Sequence, residues 1–466
     1  MKKRRNSKRN KRRSRSKSWD SFPIINVNAA GIDIGSEEHW VAVPADRDEE
    51  PVRSFGCFTA DLHAMADWLE DCGIETIAME STGVYWIPAF QILESRGFEV
   101  KLVNARHVKN VPGRKTDVLD SQWIQRLHTY GLLSGSFRPE HSICVLRSYW
   151  RHRENLIRYA SAHVQHMQKA LTEMNVQLHK VISHITGLTG MRIIRAILAG
   201  ERDPLKLAQM KDPRIKNSTE VIAKALEADY RQEHLFALRQ AVELYDFYQH
   251  QIDACDRQIE SCLNQLDSKV DIDSNPLPPS KRGSNKPKGN TPHFDLRTHL
   301  YRITGVDFTQ IDGLDAYSVH RILSEVGLDP GAFPTEKHFT SWLGLCPDNR
   351  ITGGQVKSTK TRVVVNRVSN IFRLAAQSLL RSSSALGGYH RRMRARLGAT
   401  KAITATAHKL ARIFYHLWKY GGLYQDPGAH YYEQKYKERV LRNIKNKALQ
   451  LGYQVTLTPL STGEVS

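Results

Sequence analysis

The sequence predicts a mixed α/β domain, then a long helical coiled-coil spacer, then a mainly helical C-terminal domain. Three observations predict this. Short apolar runs between turn residues give way to alternating strand and helix signals over residues 24–128. A heptad seam runs from Leu238 to Leu266. Beyond residue 296, long helical patterns cover Asn366–Arg381 and Lys401–Tyr420.

Length and charge bound what the chain can be. Its 466 residues suggest about three domains. Lys and Arg number 68 against 48 Asp and Glu, a formal net charge of +20. Residues 2–17 carry eleven of those basic residues and no acid, leaving +9 on the remainder. Arm and body alike therefore suit a polyanion, above all nucleic acid, and argue against a metabolic enzyme for small neutral substrates. No stretch approaches 18 uncharged apolar residues, so no transmembrane helix is expected, and no signal-peptide core follows the basic start. The expected location is cytoplasmic. Six cysteines, at 57, 72, 144, 255, 262 and 346, include no C-x-x-C pair and read as reduced, mostly buried thiols.

Residues 1–22 read as a disordered basic arm. In 23–140, segments 24–35, 39–44 and 52–58 read as hairpin-connected strands. Thr59 can cap a helix over Ala60–Asp71, whose Leu62, Met65, Ala66 and Leu69 share a face. Thr76–Glu80 is a strand, Val84–Arg96 a helix, Val100–Asn104 a strand, and a helix runs from about Thr116 through His128. The order β-β-β-α-β-α-β-α is that of the RNase H fold. Residues 141–272 read as helical, with long helices over 145–185 and 219–268. The seam is expected to pair two chains, the alternative being a hairpin with the first helix. Residues 273–295, rich in Pro, Gly, Ser and Lys, are a linker. In 296–425, Ile311–Gly327 is similar to a helix-turn-helix turning at Gly313, a plain helix pair being the alternative, and Arg391, Arg392, Arg394 and Arg396 form a cationic patch. Residues 426–466 are a C-terminal helix and tail.

Four carboxylates carry the chemistry. Asp33 lies in G-I-D-I-G at the end of the first strand, and Glu80 ends the fourth, before Ser-Thr-Gly. Asp117 and Asp120, three apart at a helix start, share a face. The first and fourth strands are neighbours in the proposed sheet, and the last helix can cross them, so all four acids would converge. Four clustered carboxylates repel unless cations compensate. Oxygen-only ligands suit Mg²⁺ or Mn²⁺, and two ions about 4 Å apart can hold the attacking and leaving oxygens of a phosphoryl transfer. Singly, each acid has a plainer explanation: a turn residue, a solvated strand end, or a helix cap.

G-I-D-I-G, A-M-E-S-T-G-V-Y-W, N-x₁₀-K-T-D-V-L-D and W-L-G-L-C-P-D-N-R-I-T-G-G together resemble the bacterial insertion-sequence transposases of the DEDD type. These are bridge-RNA-guided recombinases with a RuvC-like N-terminal domain and a serine-type C-terminal transposase domain. The likeness spans roughly residues 28–140 and 296–420. It implies a metal site at Asp33, Glu80, Asp117 and Asp120, and strand exchange between donor and target DNA paired to a structured guide RNA. It also implies a dimer or tetramer. The family carries a serine nucleophile shortly after G-L-x-P, and aligning on Gly344, Leu345 and Pro347 puts Thr352 there instead. A threonine hydroxyl can attack phosphorus, though its methyl group crowds the approach. Ser358 is the nearest serine, and a turn hydroxyl before Gly353-Gly354 is the structural reading of Thr352.

Two further readings stand beside the recombinase. One is a RuvC-type endonuclease that cuts with metal-bound water, and the other is a non-catalytic nucleic-acid scaffold. Trp86 and Tyr85 are expected as core anchors, the alternative being base-stacking groups, and His163 and His166 as polar interior or surface positions rather than metal ligands. Arg114 and Lys115 could hold phosphate or balance the acids.

Overall fold

Alternation of apolar side chains along short β-branched runs builds a five-stranded sheet over residues 29–103. The computed structural model describes residues 23–104, 117–281, 289–362 and 364–456. The basic arm, Arg114 and Lys115 lie outside the described residues. The chain divides into two compact units, one ending at Phe137 and one beginning at Arg138.

In the first unit the strands are β1 (Ala29–Ile34), β2 (Glu38–Ala42), β3 (Val52–Gly56), β4 (Thr76–Glu80) and β5 (Glu99–Val103), in the sheet order β3-β2-β1-β4-β5. β1 to β3 form an antiparallel meander, whereas β4 and β5 run parallel to β1 through helical crossovers. The crossovers are α1 (Thr59–Asp71) and α2 (Trp86–Ser95). Their apolar faces, including Leu62, Met65, Leu69, Phe90 and Leu93, bury one side of the sheet through Ala30, Ile32, Ile34, Ile77 and Met79. The other side is covered by α3 (Asp117–Thr129), whose Trp123 and Ile124 pack on Ala78 and Val103. The element order and the mixed sheet are those expected from the sequence.

The second unit begins with α4 (His141–Glu173). A small bundle follows, made of α5 (Leu178–Val181), α6 (Leu188–Leu198), α7 (Pro204–Gln209) and α8 (Thr219–Leu226), and the chain returns along α9 (Gln232–Gln265). Arg153 pairs with Asp256, and Tyr159 and His163 lie against Tyr248, so α4 and α9 are antiparallel. This changes the meaning of the heptad seam. Leu238, Ala241, Ile252, Cys255 and Ile259 are buried within the chain, with α4 as their cover. The alternative hairpin reading fits, and the seam no longer calls for a second chain. The first long helix also stops at Glu173 rather than 185, and the second is broken between Leu226 and Gln232, because the bundle's own core draws the chain off the hairpin.

The remainder is α10 (Leu296–Thr304), α11 (Ala316–Val326), α12 (Glu336–Trp342), a hairpin of β6 (Arg350–Thr352) and β7 (Gln355–Ser358), α13 (Arg367–Ser378), α14 (Ala385–Leu397), α15 (Ala399–Tyr420) and α16 (Tyr431–Gln450). The small hairpin is an addition to the helical expectation. Gly353 and Gly354 supply its two left-handed turn positions, with φ of +58° and +76°. Gly313 does make a turn, at φ +92°, but a Cβ there would lie 3.0 Å from the Ala375 carbonyl. The turn therefore packs on α13 and behaves as one corner of a helix pair. None of the helices among the described residues is long and apolar enough to cross a membrane.

Candidate active site

Register places the first two acids. Ile32 pairs with Met79 across the parallel β1–β4 ladder, so the next residues, Asp33 and Glu80, occupy adjacent positions on strands about 4.8 Å apart. Ile32 and Met79 face the α1–α2 core, so by alternation Asp33 and Glu80 face the side that α3 covers. Glu80 is only 4% exposed, and its Oε1 accepts a hydrogen bond from the Thr82 hydroxyl at 3.1 Å. Asp33 is half-buried, with Trp40 as its antiparallel partner on the same face.

The path of α3 places the other two. Its C-terminal end is tied to the start of the strands. Asn26 Nδ2 donates to the His128 carbonyl, the backbone N–H of Ile25 donates to the Thr129 carbonyl, and His128 Nε2 lies 2.9 Å from Thr76 Oγ1. Burial, followed by the charge of Lys101, pushes the His128 imidazole down to about 4, so it serves as a neutral clamp. Further up, Gln125 Nε2 donates to the Ala29 carbonyl. Ser121 lies over Gly31, where a Cβ would come within 2.6 Å of the Ser121 carbonyl and 2.2 Å of Gln125 N. Gly31 is what lets the helix sit this close. The helix thus runs antiparallel to β1. Asp117 lies one turn before Ser121, and Asp120 one turn before Ile124. Both positions rise toward the ends of β1 and β4 that carry Asp33 and Glu80. Asp120 is half-buried, and the Asp117 side chain lies outside the described residues. Among the described residues, no three His, Cys, Asp or Glu side chains are gathered as a metal-binding group.

The donor set fits a hard divalent cation. It consists of carboxylate oxygens alone, one of them on a buried glutamate. Two residues escaped the sequence reading. Trp40 is unremarkable until the β1–β2 register sets it beside Asp33, and Thr82 is a hydroxyl two residues from a carboxylate. Only the bend after β4 turns it back onto Glu80.

In the second unit, Thr352 ends β6 at the mouth of the Gly-Gly turn and is exposed, pairing with Gln355 in the ladder. Ser358, half-buried at the end of β7, accepts a hydrogen bond from Lys360 N at 3.3 Å. Of the four arginines on α14, three are partly used internally, Arg396 donating to Met393 Sδ. Arg391 donates to the Leu380 and Ser382 carbonyls, and Arg392 donates to the Tyr432 carbonyl and lies over the Tyr436 ring. His163 stacks on Tyr248 and touches His166, an aromatic contact that fits the structural expectation for the pair.

Comparison with known families matches both regions that carry these residues. Residues 30–176 match a DEDD transposase family model, described as Transposase. Residues 307–391 match a model described as Transposase IS116/IS110/IS902 family. No curated protein matches the chain. The first match covers the sheet with Asp33, Glu80, Asp117 and Asp120, and the second covers the hairpin with Thr352. The chain belongs to the IS110/IS902 family of DEDD-type transposases, enzymes that act on DNA.

Proposed function

We propose that this transposase cuts and rejoins DNA at a divalent-metal site formed by Asp33, Glu80, Asp117 and Asp120. The observation that carries the reading is the β1–β4 register, with two acids side by side beneath a helix whose leading turn bears two more. When bound, Mg²⁺ or Mn²⁺, two ions in the fullest form, would neutralise charge on the scissile phosphate and its leaving oxygen. The protein's own part is positional. The sheet holds Asp33 and Glu80, Thr82 orients the Glu80 carboxylate, and the His128 clamp sets the height of α3.

The Thr352 hydroxyl is the proposed nucleophile: its oxygen bonds the phosphorus as the P–O bond to the departing strand breaks, the hydroxyl proton ends on the departing sugar oxygen, and the threonyl–DNA phosphodiester conserves the energy of the broken bond for rejoining. Its exposure on a narrow hairpin suits approach to a DNA backbone. Cleavage by metal-bound water would need the four acids and not this hydroxyl, which keeps the water-using endonuclease as a second reading. A structured RNA is the proposed guide, held with the DNA through phosphates on cationic surfaces such as α16. That helix carries Lys435, Lys437, Arg439, Arg442, Lys445 and Lys447 against Glu433 and Glu438. Any oligomer would form through surfaces other than the buried seam.

One set of experiments tests this. Asp33→Asn, Glu80→Gln and chelation of divalent ions should each abolish strand cleavage. A denaturing gel should show protein attached to a cut strand, and Thr352→Ala should remove that adduct. An adduct that persists in Thr352→Ala excludes this nucleophile, and free ends with no adduct in the unmodified protein favour water. Sequencing of co-purified RNA should return one discrete structured species.

A further inference from the structure

The segment leaving β4 carries an exposed aromatic ring five residues past Glu80. In α2, Trp86, Ala89, Phe90 and Leu93 recur at helical spacing. Trp86 meets Phe90 edge-on at 5.7 Å, so this face is the one that packs into the core. That arrangement turns Tyr85 outward, against the sequence expectation of a core anchor. Tyr85 is 48% exposed and Val84 67%. The Tyr85 ring leans on the backbone of Gly83, where a Cβ would lie 3.5 Å from Cδ2 and Cε2. Gly83 has φ +54°, so the bend that presents the ring is built into the chain. Between Ser81 and Ser95 there is no Lys or Arg, in a protein that holds 68 of them. Within this stretch of chain a passing strand is offered a flat ring rather than a cationic side chain.

We propose that Tyr85, held on the Gly83 bend five residues past Glu80, is a stacking platform for a nucleobase flanking the phosphate at the carboxylate site. The proposal rests on the metal-site reading above and adds a positioning residue to it. Stacking of a base on an aromatic side chain tolerates any base identity. It would fix the strand's angle across Asp33 and Glu80 without reading its sequence. That division suits an enzyme whose specificity is delegated to base pairing.

The test uses the full-length protein and a mixed-sequence single-stranded oligodeoxynucleotide carrying 5-iodouracil, irradiated at high salt, where phosphate contacts are screened. The crosslinked peptide should map to Tyr85. Tyr85→Ala should lose that crosslink and weaken high-salt binding roughly ten- to a hundredfold. Tyr85→Phe and Tyr85→Trp should retain both, which separates stacking from a structural role or a hydroxyl role. Asp33→Asn should keep the crosslink while losing cleavage. If Asp33→Asn still cleaves, the metal-site reading fails whatever Tyr85 does. If the crosslink maps elsewhere, or Tyr85→Ala keeps wild-type binding, the platform is overturned. A change of oligomeric state in Tyr85→Ala with unchanged DNA binding would overturn it in favour of a protein contact.

Discussion

Substituting Gly31 by alanine tests whether the seating of α3 governs the catalytic site. The added methyl would lie 2.2 Å from Gln125 N and 2.6 Å from the Ser121 carbonyl, both backbone atoms of α3. The closer contact falls about 1.2 Å inside the 3.4 Å of ordinary packing. Backbone cannot rotate out of the way as a side-chain tip can, so the helix must lift or the strand must bow. Overpacking of this kind costs about 1–3 kcal/mol. The functional effect should exceed the loss of stability. Asp117 and Asp120 ride on the displaced helix while Asp33 and Glu80 stay with the sheet, and a misplacement of about 1 Å at a catalytic constellation costs roughly a hundredfold in rate. The assays are thermal unfolding of the full chain and divalent-metal-dependent strand cleavage. Gly135→Ala is the control, since a Cβ at Gly135 meets nothing within 4 Å. If Gly31→Ala melts and cleaves like Gly135→Ala, the height of α3 does not set the site and the reasoning fails.

Three further outcomes are expected. Arg153→Ala should destabilise the second unit by about 3–5 kcal/mol in chemical denaturation, because it leaves the buried Asp256 carboxylate unpaired; Arg153→Met with Asp256→Leu should recover most of that. His320, fully buried against Trp150, is pushed down to about 3 by burial and then by Arg153. It is neutral when folded, while the unfolded chain takes up its proton below about 6.5. Stability should therefore be unaffected above that pH and fall by up to about 1.4 kcal/mol per unit as pH drops toward 3, and His320→Leu should flatten this limb of a pH-dependent melting series. Replacing Gly353 and Gly354 together by alanine should cost about 1–2 kcal/mol per residue within the hairpin, seen as faster tryptic cleavage after Lys357 with the global melting temperature unchanged.

Much of the first unit was legible because its signals are local. Three apolar runs with short turns can only be a meander, and the helical spacing of Leu62, Met65 and Leu69 names the face that α1 buries. Asp33 and Glu80 stood out for the same reason, as acids at strand positions that disfavour them. Trp40 and Thr82 were not legible, since each acquires its meaning from a neighbour set by strand register or by the bend after β4. Tyr85 was misjudged because Tyr85 and Trp86 are adjacent aromatics, and one helical step, 100° of rotation, sends one inward and the other out.

The seam on α9 marks the limit most clearly. Its spacing of three and four declares that Leu238, Ala241, Ile252, Cys255 and Ile259 will be buried on a helix face, and nothing in that spacing names the helix opposite. The tertiary structure answered with α4 of the same chain, where Arg153 reaches Asp256 and the small bundle lets the chain reverse. Periodicity along a chain records which side chains must leave water. What they meet depends on the closure of long loops and the register of packed faces, contacts between residues about a hundred positions apart, such as Arg153 and Asp256, that no local pattern encodes.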